Sequence, residues 1–211
     1  MIEKGSGKIR VAFQGEPGAY SEAALLEYFH DQAEAIGLSR FEDVFEAVEK
    51  GDCRYGFIPI ENSLAGSIHR NYDLLREHNL HIIGETTLRI RHCLIAVPGA
   101  SLDQIRLVNS HPQALDQCRG YLGRLKNVTI EPVYDTAGAV KQLSETRNPA
   151  AAAVASRRAA ELYGMQILEE GIEDDAANYT RFLILSTHAI DPGADAKTSI
   201  VVSLVNQPGS L

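Results

Sequence analysis

Short stretches rich in β-branched residues alternate with amphipathic helical stretches along most of this sequence. Ile9–Gln14 has the composition of a strand, and Ser21–Phe29 has the pattern of a helix. In Phe41–Lys50 the apolar residues recur three and four positions apart, which is the spacing of an amphipathic helix. Three strand–helix pairs then follow one another between Ile105 and Tyr163, and the first of them predicts a helix over Pro112–Leu122. This alternation favours an α/β fold with mostly parallel sheets and helices on both faces.

Two extended regions indicate that the chain is divided into two lobes. His81–Leu88 and Ile90–Val97 are extended and almost contiguous, so we expect the chain to cross between lobes near Thr87–Arg91. Thr180–Ser186 is the candidate for the return crossing. A ligand site is expected between the two lobes.

The two crossings set the expected domain boundaries. These are lobe 1 at residues 1–88 and 182–190, lobe 2 at 89–181, a linker at 191–197, and one further strand within 198–211. The linker is polar and contains proline and glycine. One strand cannot fold alone, so residues 198–211 are interpreted as the truncated beginning of a further unit.

Charge and cysteine usage narrow the range of partners and cofactors. The 211 residues include 28 Asp and Glu against 20 Lys and Arg, a formal net charge of -8, and contain no basic run. Neither nucleic acid nor a membrane is therefore expected as a partner. No apolar run has membrane-spanning length, and the N-terminus lacks a signal-peptide pattern. Three scattered cysteines without metal-ligand spacing favour a reduced, cytoplasmic protein that holds no zinc.

Polar residues gather where the predicted strands end, which is where open parallel sheets bind ligands. The segments at these positions are Gly15–Ser21, Glu61–Ser63, Asn109–Gln113, Asp135–Thr136 and Asn178–Phe182. Four of them offer a hydroxyl or amide group at a helix start, where free backbone N–H groups favour anions. Arg181 adds a planar cation suited to a carboxylate. The set fits a small polycarboxylate held between two lobes.

Taken in order, these junctions resemble those of prephenate dehydratases. The matching segments are VAFQGEPGAYSEAA, FIPIENSLAGS, SHPQAL, YDTAGAV, AAAVAS and NYTRFLIL. They cover roughly Ile9 to Leu185. The later segment KTSIVVSLVNQPGSL resembles the first strand of the ACT regulatory domain that follows the catalytic region in this family. The resemblance implies a two-lobed fold like that of type II periplasmic binding proteins, with a double crossover between the lobes and an active site in the cleft.

The resemblance also implies a reaction, that of a carbon–oxygen lyase in phenylalanine biosynthesis. Prephenate loses CO2 from C1 and hydroxide from C4, which leaves the aromatic ring of phenylpyruvate. Aromatisation drives the reaction, so neither a metal ion nor an organic cofactor is expected. The site should donate hydrogen bonds to the departing oxygen and only weakly solvate the carboxylate that is lost. A homo-oligomer is a candidate assembly, because the family is usually oligomeric.

The family's motifs assign roles to individual residues. The catalytic threonine of the family lies in its TRF motif, and Thr180 holds that position here. Arg181 is expected to anchor a substrate carboxylate. The expected orienting donors are Asn62, Ser63, Ser110, Gln113, Thr136 and Asn178. The proton for the leaving oxygen comes from water, His111 or Glu61, and this choice stays open. In the alternative interpretation, Glu61 only favours a helix N-terminus and His111 only shapes a turn.

Two other functions stay open at this point. One is arogenate dehydratase, whose substrate carries an amine in place of the side-chain keto group. The other is a non-catalytic solute-binding protein on the same fold. Thr180 beside Arg181 favours an enzyme, because a receptor needs the arginine but no donor aimed at a leaving group.

Overall fold

The structure is a computed structural model that describes residues 7–193, 196–198, 200 and 207. The strands are β1 (Ile9–Gln14), β2 (Ala33–Leu38), β3 (Tyr55–Asn62), β4 (Gly66–Ser67), β5 (His81–Arg89), β6 (Cys93–Ala96), β7 (Leu107–Ser110), β8 (Thr129–Pro132), β9 (Ala151–Ala155), β10 (Gln166–Glu170) and β11 (Tyr179–Ser186). The α-helices are α1 (Tyr20–Phe29), α2 (Phe41–Glu49), α3 (His69–Glu77), α4 (Pro112–Gln117), α5 (Arg119–Leu122), α6 (Thr136–Thr146) and α7 (Arg157–Tyr163).

The first sheet is built around the strand that returns from the second half of the chain. Its strand order is β2-β1-β3-β11-β5, with β4 paired to β3. β1 pairs in parallel with β2 and β3, whereas β11 pairs antiparallel with β3 and β5. β11 therefore lies between two strands from the first half of the chain. Its apolar side chains pack in the same core as the side chains of those strands.

The second sheet has the order β10-β6-β9-β7-β8. β7 pairs in parallel with β8 and β9, while β6 pairs antiparallel with β9 and β10. One apolar cluster continues through both sheets and includes Phe13 and Phe57 from the first and Leu94 and Val108 from the second. Two sheets covered by helices confirm the expected two-lobed α/β fold.

Both sheets are mixed, which corrects the expectation of mostly parallel sheets. A crossover helix gives parallel pairing between the strands that it joins, whereas the passages from β5 to β6 and from β10 to β11 join strands of different sheets. The chain makes both passages without an α-helix. The strands entered in this way, β6 and β11, run antiparallel to their neighbours.

Three element boundaries also differ from the expected ones. The helix expected over Pro112–Leu122 is broken at Cys118, whose φ of -115° and ψ of 16° are not helical, so α4 and α5 are separate. The strand expected over Ile90–Val97 is reduced to β6. The sequence pattern also missed β2, an edge strand that contains Gly37 and pairs, among the described strands, only with β1.

The two crossings between the lobes lie side by side. In the pairing of β5 with β11, Leu88 lies opposite Thr180 and Arg89 opposite Tyr179. The ladder continues beyond these strands, because the Ile90 N–H donates to the Asn178 carbonyl at 2.8 Å. This is the expected double crossover, and it sets the ends of β5 and β11 at the base of the cleft.

The expected lobe boundaries stay a prediction. All of β11 pairs within the first sheet, so the boundary expected between residues 181 and 182 falls inside a strand. The strand expected within 198–211 lies outside the described residues, except at Thr198, Ile200 and Gln207. Within the described part of the chain, no helix is long and apolar enough to cross a membrane.

The loop between β1 and α1 packs closely against helices of the second lobe. Gly18 has a φ of 95°, and a Cβ atom there would lie 2.9 Å from the Cα of Ala159. The Ser156 hydroxyl donates to the Gly18 carbonyl at 2.6 Å, and Lys141 forms an ion pair with Glu16 at 3.0 Å. Glycine is required here by both backbone conformation and space. This loop holds the two lobes together beside the cleft.

Candidate active site in the interlobe cleft

A cavity of about 370 Å³ lies in the cleft between the two sheets. The polar side chains in its lining come from both lobes and are Tyr20, Ser21, Asn62, Ser67, His92, His111, Gln113, Gln117, Thr136 and Thr180. Among the described residues, no Lys, Arg, Asp or Glu lines this cavity. Ile90 and Phe182 supply apolar surface. The site therefore offers a small ligand many neutral hydrogen-bonding groups around an apolar floor.

Thr180 places a buried hydroxyl in this cavity. Its side-chain oxygen accepts a hydrogen bond from Asn62 Nδ2 at 2.9 Å, and the residue is only 9 % exposed. The orientation of the Asn62 amide is unambiguous, because its Oδ1 accepts from the backbone N–H groups of Leu64 and Ala65 at 3.0 and 2.9 Å. Within the described residues Thr180 Oγ has no second partner. Its proton is therefore available to a ligand.

The hydrogen bonds continue from Asn62 into the second lobe. Asn62 Nδ2 donates to Asn178 Oδ1 at 2.8 Å, and Asn178 Nδ2 donates to Gln117 Oε1 at 3.0 Å. Asn62 is 7 % exposed and Asn178 is fully buried. Buried amides that satisfy one another in this way have a single low-energy arrangement. The network thereby fixes the side chains on both sides of the cleft relative to one another.

His92 and Tyr20 complete the network. Gln117 Oε1 lies 2.8 Å from His92 Nε2, and His92 Nδ1 lies 2.7 Å from the Tyr20 hydroxyl. The two rings meet edge to face, with centroids 5.4 Å apart. Burial lowers the pKa of His92 and raises the pKa of Tyr20 well above its ordinary value, so both side chains are uncharged at neutral pH.

Of the residues expected from the sequence, five line the cavity: Thr180, Asn62, Gln113, Thr136 and His111. His111 is the N-cap of α4, and its Nδ1 accepts the Gln113 N–H at 3.2 Å. When neutral, this ring therefore carries its proton on Nε2. Thr136 begins α6 after Asp135, which caps that helix by accepting the Gly138 N–H at 2.8 Å.

Three further expected donors, Ser63, Ser110 and Asn178, are not among the described residues that line the cavity. The Ser63 hydroxyl donates to the Ala177 carbonyl at 2.7 Å and accepts the Tyr179 N–H at 2.9 Å. The fully buried Ser110 hydroxyl donates to the Val154 carbonyl at 2.5 Å. Asn178 acts within the network described above. These hydroxyl and amide groups bind the protein's own backbone and side chains.

Arg181 and Glu61 are not brought to the cavity. Successive side chains of a strand point to opposite faces, so Arg181 faces away from the side that Thr180 faces. It forms an ion pair with Glu85, with Nη2 and Oε2 2.6 Å apart, beside a separate cavity of about 500 Å³. Contacts with Lys197 and with Arg181 lower the pKa of Glu85. Glu61 lies opposite Arg181 in the β3–β11 pairing and is exposed.

Gln117, His92 and Tyr20 were missed by the sequence interpretation. Gln117 lies four residues after Gln113, so both project from the same face of one helix, and this spacing was a usable signal. No local signal marked His92, because its partners Gln117 and Tyr20 lie 25 and 72 residues away along the chain. Within the described ranges, no group of three His, Cys, Asp or Glu side chains is placed to hold a metal ion.

The chain is similar to known proteins along most of its length. A family model described as prephenate dehydratase matches residues 11–190. The chloroplastic arogenate dehydratase/prephenate dehydratase 2 of Arabidopsis thaliana is 50% identical over 212 residues, which cover 100% of this chain and 55% of that protein. The chain thus spans about half the length of the curated relatives that it matches.

Solved structures show the same fold. Prephenate dehydratase from Arthrobacter aurescens, in complex with L-Phe, superposes with a TM-score of 0.79 at 30% identity, covering 90% of this chain and 63% of that one. A structure described as a quorum-quenching acylase of a novel type superposes with a TM-score of 0.80 at 37% identity, covering 87% and 66%.

Proposed function

The chain belongs to the prephenate dehydratase family, and from that premise we propose that it converts prephenate to phenylpyruvate. The observation that carries this proposal is the Thr180 hydroxyl, whose oxygen accepts from Asn62 and whose proton is left for a ligand. Negative charge develops on the departing C4 oxygen in the transition state. A preorganised donor held in place by the protein stabilises such charge more than freely reorienting water does.

The electron flow of the reaction explains the remaining requirements. The bond between C1 and the carboxylate breaks, its electron pair moves into the ring, and the C4–O bond breaks to release hydroxide. The hydroxide takes a proton to become water. His111 lines the cavity with an N–H on Nε2 when neutral, whereas Glu61 lies outside it. We therefore favour His111 or a water molecule as the proton source.

The uncharged lining suits a carboxylate that must be lost. A fixed cation beside the ring carboxylate would stabilise the ground state more than the transition state and would slow decarboxylation. Neutral donors such as Gln113, Gln117 and Thr136 solvate a carboxylate more weakly. We propose that they take the orienting role, and that Arg181 is structural through its ion pair with Glu85.

Arogenate dehydratase activity is the alternative, since the Arabidopsis relative is named for both activities. Arogenate carries an ammonium group, and no carboxylate lines the cavity to pair with it among the described residues. This absence favours the keto substrate, prephenate. A non-catalytic solute-binding role would need the same cavity but gives no reason for the orientation of the Thr180 hydroxyl.

One experiment separates the three functions. The chain is mixed with prephenate, and phenylpyruvate is measured by its ultraviolet absorbance in base. A parallel reaction with arogenate is followed by the appearance of phenylalanine. We expect the higher kcat/KM with prephenate, with no added metal and no loss after dialysis against EDTA. Ligand binding without product from either compound would establish a solute-binding protein instead.

The proposal also covers the cellular compartment and the assembly of the protein. Cys53, Cys93 and Cys118 are buried free thiols, which supports a reducing compartment such as the cytoplasm. A homo-oligomer and an ACT domain that includes residues 198–211 stay predictions. Sedimentation of the purified chain tests the first.

A further inference from the structure

We propose that Tyr20 and His92 are positioning residues, which hold the side-chain amide of Gln117 in the orientation that the reaction uses. The role rests on the function proposed for this cavity. Neither ring needs to touch the reacting atoms of the substrate. They act through Gln117, which lines the cavity and belongs to the same hydrogen-bond network as Thr180.

The direction of every hydrogen bond in this network follows from the contacts of Asn62, which lies at one end of it. The backbone N–H groups of Leu64 and Ala65 can only donate, so the atom of Asn62 that they contact is the carbonyl oxygen. The Asn62 amino group therefore faces Asn178 and must meet its carbonyl oxygen. The Asn178 amino group in turn faces Gln117, whose carbonyl oxygen accepts from it.

The same reasoning determines the tautomer of His92. Gln117 Oε1 carries no hydrogen, so the His92 Nε2 that lies 2.8 Å away must be protonated. In a neutral ring, Nδ1 then has a free lone pair, which accepts from the Tyr20 hydroxyl at 2.7 Å. Gln117 sets this tautomer, because in the opposite one the lone pair of His92 Nε2 would face the Gln117 oxygen. Tyr20, whose hydroxyl also lies 3.2 Å from the Arg91 carbonyl, holds the ring in place through Nδ1.

The amino group of Gln117 is left available to a ligand. Its Oε1 is occupied by two donors, from His92 and from Asn178. Its Nε2 has no hydrogen-bond partner within the described residues, and the side chain lines the cavity. Gln117 therefore offers its two N–H groups to a ligand as long as its oxygen is held. The opposite orientation would set its amino group against the amino group of Asn178.

Burial keeps His92 neutral, against the hydrogen bond to Gln117 and the nearby charge of Glu173, which both favour the protonated ring. Its backbone N–H donates to Glu173 at 2.9 Å, and Glu173 is almost fully buried and forms an ion pair with Arg89 at 3.6 Å. Cys93 and Cys118 lie close enough to Tyr20 to raise its pKa further. Burial lowers the pKa of the imidazole, although the nearby carboxylate of Glu173 opposes this effect.

The first test reads the tautomer directly. Long-range ¹H–¹⁵N spectra of the full chain report which imidazole nitrogen is protonated, and loss of one ring signal in His92→Gln assigns His92 among the 7 histidines. We expect a neutral ring with its proton on Nε2 at neutral pH. A proton on Nδ1, or a charged ring, would overturn the proposal. This measurement needs no substrate, so it stands apart from the test of the proposed function.

The second test separates positioning from folding by rescue. His92→Leu removes the donor to Gln117 and should lower kcat/KM about tenfold, the usual effect of one lost buried hydrogen bond. His92→Gln restores an N–H near the position of Nε2 and should recover most of this loss. Tyr20→Phe leaves the Nδ1 lone pair of His92 without its donor and should lower kcat/KM by a smaller factor, with the His92 proton still on Nε2. Tyr163→Phe, which loses a tyrosine hydroxyl bound to the Pro17 carbonyl, is the matched control and should retain activity.

Two outcomes contradict the positioning role. One is equal loss of activity in His92→Leu and His92→Gln together with equal loss of melting temperature, which would make His92 a purely structural residue. The other is full activity in His92→Leu. A wild-type chain without activity on prephenate and arogenate would refute the proposed function, and the tautomer measurement would still decide the arrangement of Tyr20 and His92.

Discussion

Asn62 and Thr180 lie directly opposite each other on the antiparallel strands β3 and β11, and Asn62 Nδ2 donates to Thr180 Oγ at 2.9 Å. The pair occupies the return crossing of the chain, where the first sheet meets the cleft. The amide uses the lone pair of the hydroxyl and leaves its proton free. The pairing of β3 with β11 thus sets the direction in which the Thr180 hydroxyl donates its proton.

Removal of the Thr180 hydroxyl is expected to lower kcat strongly without unfolding the chain. By analogy with oxyanion donors, Thr180→Ala should cost about 3 kcal/mol, roughly a hundredfold in kcat. Thr180→Ser keeps the donor and should retain much of the rate. Steady-state kinetics and circular dichroism test both variants. A folded alanine variant with more than about a tenth of the wild-type kcat would rule out the assigned role.

Asn62→Asp is expected to inactivate the site without unfolding the chain, although it also sets an oxygen against Asn178 Oδ1. The variant keeps an oxygen for the N–H groups of Leu64 and Ala65, but it presents a second oxygen to Thr180 in place of the amino group. The Thr180 proton would then turn toward the carboxylate, and kcat should fall about a hundredfold. Because both changes remove one donor, the double variant with Thr180→Ala should be little worse than either single variant. Additive losses would show that the two residues act independently.

Arg181→Lys is expected to leave KM nearly unchanged. The sequence alone suggested a substrate anchor, but Arg181 pairs with Glu85 outside the cavity. Both side chains are about a third exposed, so loss of the contacts from Arg181 Nε and Nη2 to Glu85 Oε2 should cost at most about 1 kcal/mol of unfolding free energy. Urea unfolding at low and high salt measures this cost. A tenfold rise in KM would restore the role of substrate anchor to Arg181.

Stability should fall on the acid side because of His92. Burial lowers the pKa of its folded form below that of the unfolded chain, so the unfolded state binds more protons between the two values. The contribution is complete above the ordinary histidine pKa of about 6.5 and declines as the pH falls toward the lowered folded value. Urea unfolding between about pH 8 and pH 5 should show this decline. His92→Gln should show a shallower one, and an identical decline would exclude His92 as its source.

The three cysteines are expected to be inert in the native protein. Burial raises the pKa of Cys93 to about 12, and also raises the pKa values of Cys53 and Cys118. Since the thiolate is the reactive form, a disulfide reagent at neutral pH should modify none of them until denaturant is added. Rapid labelling of the native chain would show that a thiol becomes exposed by local opening.

Elements with a strong local pattern were predictable from the sequence. The apolar spacing of Phe41–Lys50 predicted a helix, and α2 ends within one residue of the expected end. The position of Thr180 in its motif and the polar ends of several strands predicted five of the residues that line the cavity. These features were predictable because an apolar periodicity, or the end of a strand, depends only on residues that are neighbours in the sequence.

Only the tertiary structure decided which of the neighbouring residues serve the site. Alternation along β11 places Thr180 toward the cleft and Arg181 toward Glu85, and the sequence does not reveal which face of a strand becomes the cleft. The contact of His92 with Gln117 joins residues 25 positions apart, and its contact with Tyr20 exists only once both lobes have folded against each other. The sequence by itself determined most of the elements and the family. Packing of the two lobes decided the direction of each side chain and hydrogen bond, because these depend on partners that no local pattern specifies.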